Sequence, residues 1–272
     1  MFAPQLPSFS QVFTQTAQAS WNFVREHPWQ IAASILPSVA AAAWFGVTLA
    51  DQTESGPAVV TPGSSISTVV ALATLLFAVL TSATTVHIGA LRWMRAGESM
   101  RVFINLFDRV ALVWVWRSIK LQALLLLPFT GSMLLGALIG LALGAPLEGV
   151  GLSAIPGTLA MIYIAVRLAP WAATFVDPTP TSLSEALSLT RGRFFAILGR
   201  MFVPFILSIA ASMLAALVSA GLSGFPLPPI AEHTIRGLSE YASLLVPWIA
   251  GPLAACLVWG ALEAPREPDG DT

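Results

Sequence analysis

Charge is what this sequence has least of. Only 27 of its 272 residues are Asp, Glu, Lys or Arg, 10% of the chain, where a soluble domain carries about 25%. So few charges cannot dress a globule in water. The 56% hydrophobic content excludes intrinsic disorder, which needs the opposite balance. Cysteine is almost missing too. Cys256 stands alone, so no disulfide framework exists. Lysine is reduced to Lys120 against twelve arginines. The three histidines, His27, His87 and His233, lie too far apart along the chain to converge on a metal. Phosphate loops, His-Glu-x-x-His and nucleophile-elbow patterns are absent. A chain that is not an enzyme, with no catalytic residue, metal or cofactor, is the expectation.

Long apolar runs are what remains. Six stretches, 31–50, 66–91, 119–143, 152–176, 194–222 and 241–262, reach the roughly 20 residues needed to cross a ~30 Å hydrocarbon layer. They predict an all-α polytopic membrane bundle, one transmembrane domain over 1–272. No Asp or Glu lies within these stretches, which removes the carboxylate relay used by many transporters. Pro37, Pro128, Pro156, Pro170, Pro204, Pro247 and Pro252 fall inside them. Neighbouring helices can re-satisfy the carbonyls that a proline frees, so kinks are expected there and not terminations.

Basic residues mark the cytoplasmic side. Arg92, Arg95, Arg101, Arg109 and Arg117 separate the second and third runs, and Arg191 and Arg193 separate the fourth and fifth. The segments 51–65 and 144–151 hold no Lys or Arg, and 223–240 holds only Arg236. Six spans with both termini cytoplasmic follow. Trp21, Trp29, Trp93, Trp114, Trp116, Trp171 and Trp259 fall near the same interface, where amphipathic rings sit best. The first seven residues lack the basic start and cleavage site of a signal peptide, so the first span is expected to be retained.

Three more polar segments carry helical periodicity: 8–27, 100–116 and 181–194. Ser8 or Ser10 is an N-cap candidate for the first, and Ser182-Leu-Ser-Glu185 is a capping pattern for the third. These read as amphipathic helices lying in the interface. Each precedes a pair of spans, a possible threefold parallel repeat of ~80–90 residues with its axis along the membrane normal. Arg117 and Arg200 echo one another at the starts of two spans.

One stretch resembles a known family. Tyr163-Ile-Ala-Val-Arg167-Leu-Ala-Pro170, then Asp177, then Glu185-Ala-Leu-Ser-Leu-Thr-Arg191-Gly-Arg193-Phe-Phe is similar to a segment of the membrane domain that accompanies bacterial glycerophosphodiester phosphodiesterases. It is also similar to the related stand-alone YciC-like proteins. The resemblance implies a six-helix protein of the bacterial cytoplasmic (inner) membrane. The phosphodiesterase chemistry belongs to a separate soluble domain in those proteins. This chain ends just after its last span, so that activity is not expected here.

Arg167 is the sharpest polar feature, read as lying within the fourth span. It is a candidate lipid-headgroup or anion contact together with Arg191, Arg193, Arg101 and Arg109. The competing reading is structural, a guanidinium holding a helix C-terminus. Small residues recur every four positions at Gly136, Gly140 and Gly144, and again at Ser208, Ser212 and Ala216, where they would allow close helix packing. Two functions follow. One is a non-enzymatic scaffold or accessory subunit that binds membrane lipids and another membrane protein or itself, with no nucleic-acid partner. The other is a lipid or small-solute transporter or channel, with a cavity near Arg167 and the hydroxyl-rich half of span two around Thr81, Ser82, Thr84, Thr85 and His87.

Overall fold

A computed structural model of the chain describes residues 6–54, 62–101, 109–222 and 229–264. Its elements are α1 (Phe9–Glu26), α2 (Pro28–Glu54), α3 (Pro62–Ala96), α4 (Arg109–Ala142), α5 (Pro146–Leu168), a 3-10 segment (Pro170–Val176), α6 (Leu183–Leu189), α7 (Phe194–Met201), α8 (Val203–Leu222) and α9 (Pro229–Glu263). No strand occurs among the described residues. Among the described residues, five stretches are long and apolar enough to cross a membrane: Ile66–Ala96, Arg109–Ala142, Leu147–Leu168, Phe194–Val218 and Leu245–Glu263. The protein is an all-α, multi-pass membrane protein.

Prolines decide several boundaries, though not all in the expected way. Pro37, Pro128, Pro156, Pro247 and Pro252 lie inside continuous helices. Pro170 does not. The helix expected over 152–176 ends at Leu168, and Pro170 opens a 3-10 turn instead. A proline lacks the N–H of the helical ladder and crowds the carbonyl four residues back, and here the chain yields by ending the helix. Pro204 likewise stands at the second position of α8, after a break at Phe202, a place where its missing donor costs nothing. The fourth span recovers its length at the other end. Gly144, at φ +75°, stops α4, with the N–H of Ala145 bonded to Gly140 O at 2.8 Å, and Pro146 starts α5. Gly144 is therefore a helix stop and not a packing position, since a Cβ there would meet nothing within 4 Å.

The interfacial segments also differ in detail. α1 occupies 9–26 and is capped reciprocally: Gln11 N–H donates to Ser8 Oγ at 3.2 Å, and Ser8 N–H to Gln11 Oε1 at 2.7 Å. This capping box satisfies two of the donors that a helix start leaves open. Val12, Thr16 and Phe23 form its buried face, while Phe9, Trp21 and Val24 stay exposed. For the segment 100–116, residues 102–108 lie outside the described residues, and 109–116 belong to the long α4. The segment 181–194 is not one helix. α6 ends at Leu189, Gly192 adopts φ +72°, and α7 begins at Phe194. Much of the expected loop 223–240 is helical, because α9 already begins at Pro229.

The chain divides into two compact units, Ser20–Ala111 and Met1–Ala19 with Leu112–Thr272. In the first, α2 packs on α3 through small residues such as Ala41, Ala71 and Ala78, all buried. Ser82 Oγ donates to Ser38 Oγ across the pair at 3.1 Å, and Ser38 donates to Ile35 O at 2.7 Å. The hydroxyls of α3 thus join helices or return to their own backbone, as Thr81 does to Phe77 O at 2.8 Å. Trp93 Nε1 donates to Glu26 at 2.8 Å, and the Trp93 ring stands 5.6 Å from Phe23. Arg92 pairs with Glu98.

In the second unit α9 forms the core and packs against α8, α7 and the 3-10 segment. Trp259, Leu253 and Leu262 are wholly buried or nearly so. The contrast among spans is large: 56% of the Leu245–Glu263 window is buried, against 17% for Ile66–Ala96, 11% for Arg109–Ala142 and Phe194–Val218, and 6% for Leu147–Leu168. α8 turns Val203, Leu207, Ala211 and Ala215 inward in part, whereas Ser212 and Ala216 are exposed. Ser208 is half-buried like Leu207, so the expected stripe falls out of register with the inward face only beyond it, at Ser212 and Ala216.

α4 and α5 form a hairpin whose backbones touch. A Cβ on Gly136 would overlap Ser153 and the Gly149 carbonyl, and one on Gly149 would come within 2.7 Å of Gly140 Cα. Glycine at these places lets two helices approach where water supplies no hydrophobic drive.

Candidate functional site

The segment 163–200 carries most of the polar structure of the second unit. Ser182 caps α6 by accepting from Glu185 N–H at 3.2 Å. A seven-residue helix is marginal by itself, and its far end is held by Arg167. That guanidinium donates through Nη2 to Leu187 O, through Nε to Thr190 Oγ1 at 3.3 Å and through Nη1 to Tyr163 Oη at 3.4 Å. Thr190 in turn donates to Ala186 O at 2.8 Å. The Tyr163 ring lies 5.5 Å from the Arg167 guanidinium and stacks on Phe194 at 5.1 Å. The side chain therefore spans the C-terminal end of α6, where free carbonyls and the helix dipole favour a cation.

Because α5 ends at Leu168, Arg167 stands in its last turn and not deep within a longer helix. Its donors are already engaged by oxygens of its own chain. These contacts are those of the structural reading, a guanidinium clasp on the end of α6. Arg191 is exposed, while Arg193 is half-buried with an Nη1 that has no partner among the described residues. Arg101 and Arg109 are exposed and belong to the other compact unit.

Two further arginines also donate to oxygens of other segments, and reading the sequence did not assign this to them. Arg117 on α4 donates to Phe175 O at 2.5 Å and Asp177 O at 3.2 Å, the carbonyls that lead toward α6. Arg200 on α7 donates to Pro7 O at 2.6 Å, Leu6 O at 3.2 Å and Ala196 O at 2.5 Å, the first two of which lead into α1. Each holds the chain just before an amphipathic helix. The Arg117–Arg200 echo in the sequence was the available signal. The fork of a guanidinium suits this task, since one side chain can reach two or three acceptors at once.

Nearby, Trp171 Nε1 donates to Thr181 O at 2.8 Å, its ring meets Phe175 edge-on at 4.9 Å, and Thr181 Oγ1 reaches Glu263 at 3.3 Å. The 3-10 segment, the approach to α6 and the end of α9 are thus tied together. Among the described residues, no group of three His, Cys, Asp or Glu side chains is placed to hold a metal.

Arg167→Ala is expected to destabilise the fold by about 1.5–3 kcal/mol, the range for hydrogen bonds to a charged group. Arg167→Lys should recover only part of this, because an ammonium cannot reproduce the fork. Unfolding of the purified protein in detergent checks both, and an Arg167→Ala variant of unchanged stability would contradict the clasp.

No protein family, curated protein or solved structure matches this chain.

Proposed function

We propose that this protein is a non-enzymatic scaffold or accessory subunit of a bacterial inner membrane, the location its resemblance to YciC-like proteins implies. In this reading α2 supplies a sixth span and both termini are cytoplasmic. The protein would engage another membrane protein, or a second copy of itself, through its lateral surface. The observation that carries the reading is how little of four spans is covered by the chain itself, 6–17% against 56% for Leu245–Glu263. Helices gathered around an enclosed transport path would cover one another more evenly. Exposed Leu134, Leu138, Leu159, Leu214 and Leu217 line the faces left open. The engaged hydroxyls of Ser38, Ser82 and Thr81 favour helix association over a water-filled path.

Arg25, Arg101 and Arg109 in the first unit, and Arg191 in the second, are exposed, and each would attract anionic lipid at about 1 kcal/mol per residue near the surface. Extraction of native membranes into polymer nanodiscs tests the assembly. A particle of defined stoichiometry, heavier than the 28.7 kDa protomer, is the expected result. A lone protomer that carries solute flux in vesicles would overturn the proposal.

A further inference from the structure

The hairpin of α4 and α5 holds a groove of about 530 Å³, walled by Leu135, Ile139 and Leu143 on one side and by Leu152 and Pro156 on the other. Gly136, Gly140 and Gly149, where the two helices touch, also border it. The two hydroxyls along it are turned away from a ligand: Ser132 Oγ donates to Phe129 O and Ser153 Oγ to Val150 O, each at 3.0 Å. The wall therefore offers hydrocarbon. From Ser132 to Leu143, just past the end of α4, the groove runs along twelve residues, ~16 Å at 1.5 Å per step. That matches the ~15 Å depth of one leaflet, half the ~30 Å hydrocarbon core.

The mouth of the groove lies at the turn between the helices, and Glu148 borders it. Glu148 is exposed, and it is the only Asp, Glu, Lys, Arg or His between Lys120 and Arg167. A single carboxylate at headgroup level, with no cation near it in sequence, selects for a positive and hydrogen-bonding headgroup.

We propose that this groove is a binding site for one acyl chain of an amine-bearing phospholipid, whose ammonium pairs with Glu148. The occupant lies at the end of α4 away from Arg117. The site does not depend on whether the chain assembles with a protein partner.

The test reconstitutes the full chain in vesicles of equal parts phosphatidylethanolamine, phosphatidylcholine and phosphatidylglycerol, then counts retained lipids by native mass spectrometry. Phosphatidylethanolamine should be retained about three- to fivefold over phosphatidylcholine, whose quaternary ammonium has no N–H to donate to the carboxylate, the range one net hydrogen bond supports. Glu148→Gln should level that ratio with helical content unchanged. Leu152→Trp should fill the groove and lower retention of both lipids at least twofold. An equal ratio in the unmodified protein, or a preference that survives Glu148→Gln, would overturn the proposal. So would efficient disulfide dimers of Leu152→Cys, in a Cys256→Ala background, with lipid displaced, since the groove would then hold a second copy.

Discussion

Gly149→Leu is expected to force α4 and α5 apart and to cost about 3 kcal/mol or more. The reason is local. Even a Cβ at this position would lie 2.7 Å from Gly140 Cα and 2.9 Å from Gly140 N, and backbone cannot rotate away as a side chain can. Overpacking a tight contact costs ~1–3 kcal/mol where neighbours can shift, and here the neighbour is another helix. Gly151, two residues on, meets nothing within 4 Å, so Gly151→Leu should leave the hairpin closed. Spin labels on exposed Leu134 and Leu159 read the difference directly. A longer distance in Gly149→Leu and an unchanged one in Gly151→Leu are expected. Equal distances in both would mean that the two helices do not touch through Gly149.

Trp259→Ala should be comparably severe, at about 3–5 kcal/mol, the usual range for truncating a buried aromatic. Trp259 is fully buried on α9, the helix that forms the core of its unit. Loss of its ring leaves a void that lipid cannot reach. Its indole N–H has no hydrogen-bond partner among the described residues, and leaving such a donor buried costs about 1–3 kcal/mol. Trp259→Phe removes that donor along with part of the ring, so the two effects oppose and a change under about 1.5 kcal/mol is expected. Unfolding in graded denaturing detergent gives both values. A mild Trp259→Ala would show that the α9 core is not tightly packed.

The membrane class and most helices were legible in the sequence, because apolar length and charge scarcity act over whole segments. α1 was legible in finer detail, since Ser8, one of its two N-cap candidates, is a local signal with a local cause, although the reciprocal bond with Gln11 was not read. Helix ends were harder. Pro128 and Pro170 look alike in composition, yet one continues a helix and the other ends it. The difference lies in which carbonyls the surrounding chain engages: Arg117 takes those of Phe175 and Asp177, and this makes the 3-10 segment a stable continuation. Arg167 was conspicuous as a charge within an apolar run. Its role depended on where α5 stops, and that is set by Pro170 two residues beyond its end. Small-residue stripes proved ambiguous by one position in α8, because Ala211 and Ala215 are as small as Ser212 and Ala216. Only packing against α9 separates the two faces.

The central claim is that the open lateral faces serve association with protein and not transport through the chain. The most direct measurement is the mass of the particle extracted from native membranes without detergent, read together with the identity of everything in it. The account predicts a complex of fixed stoichiometry that holds this chain with a second protein or with copies of itself. A uniform single-chain particle, surrounded by lipid alone, would contradict it.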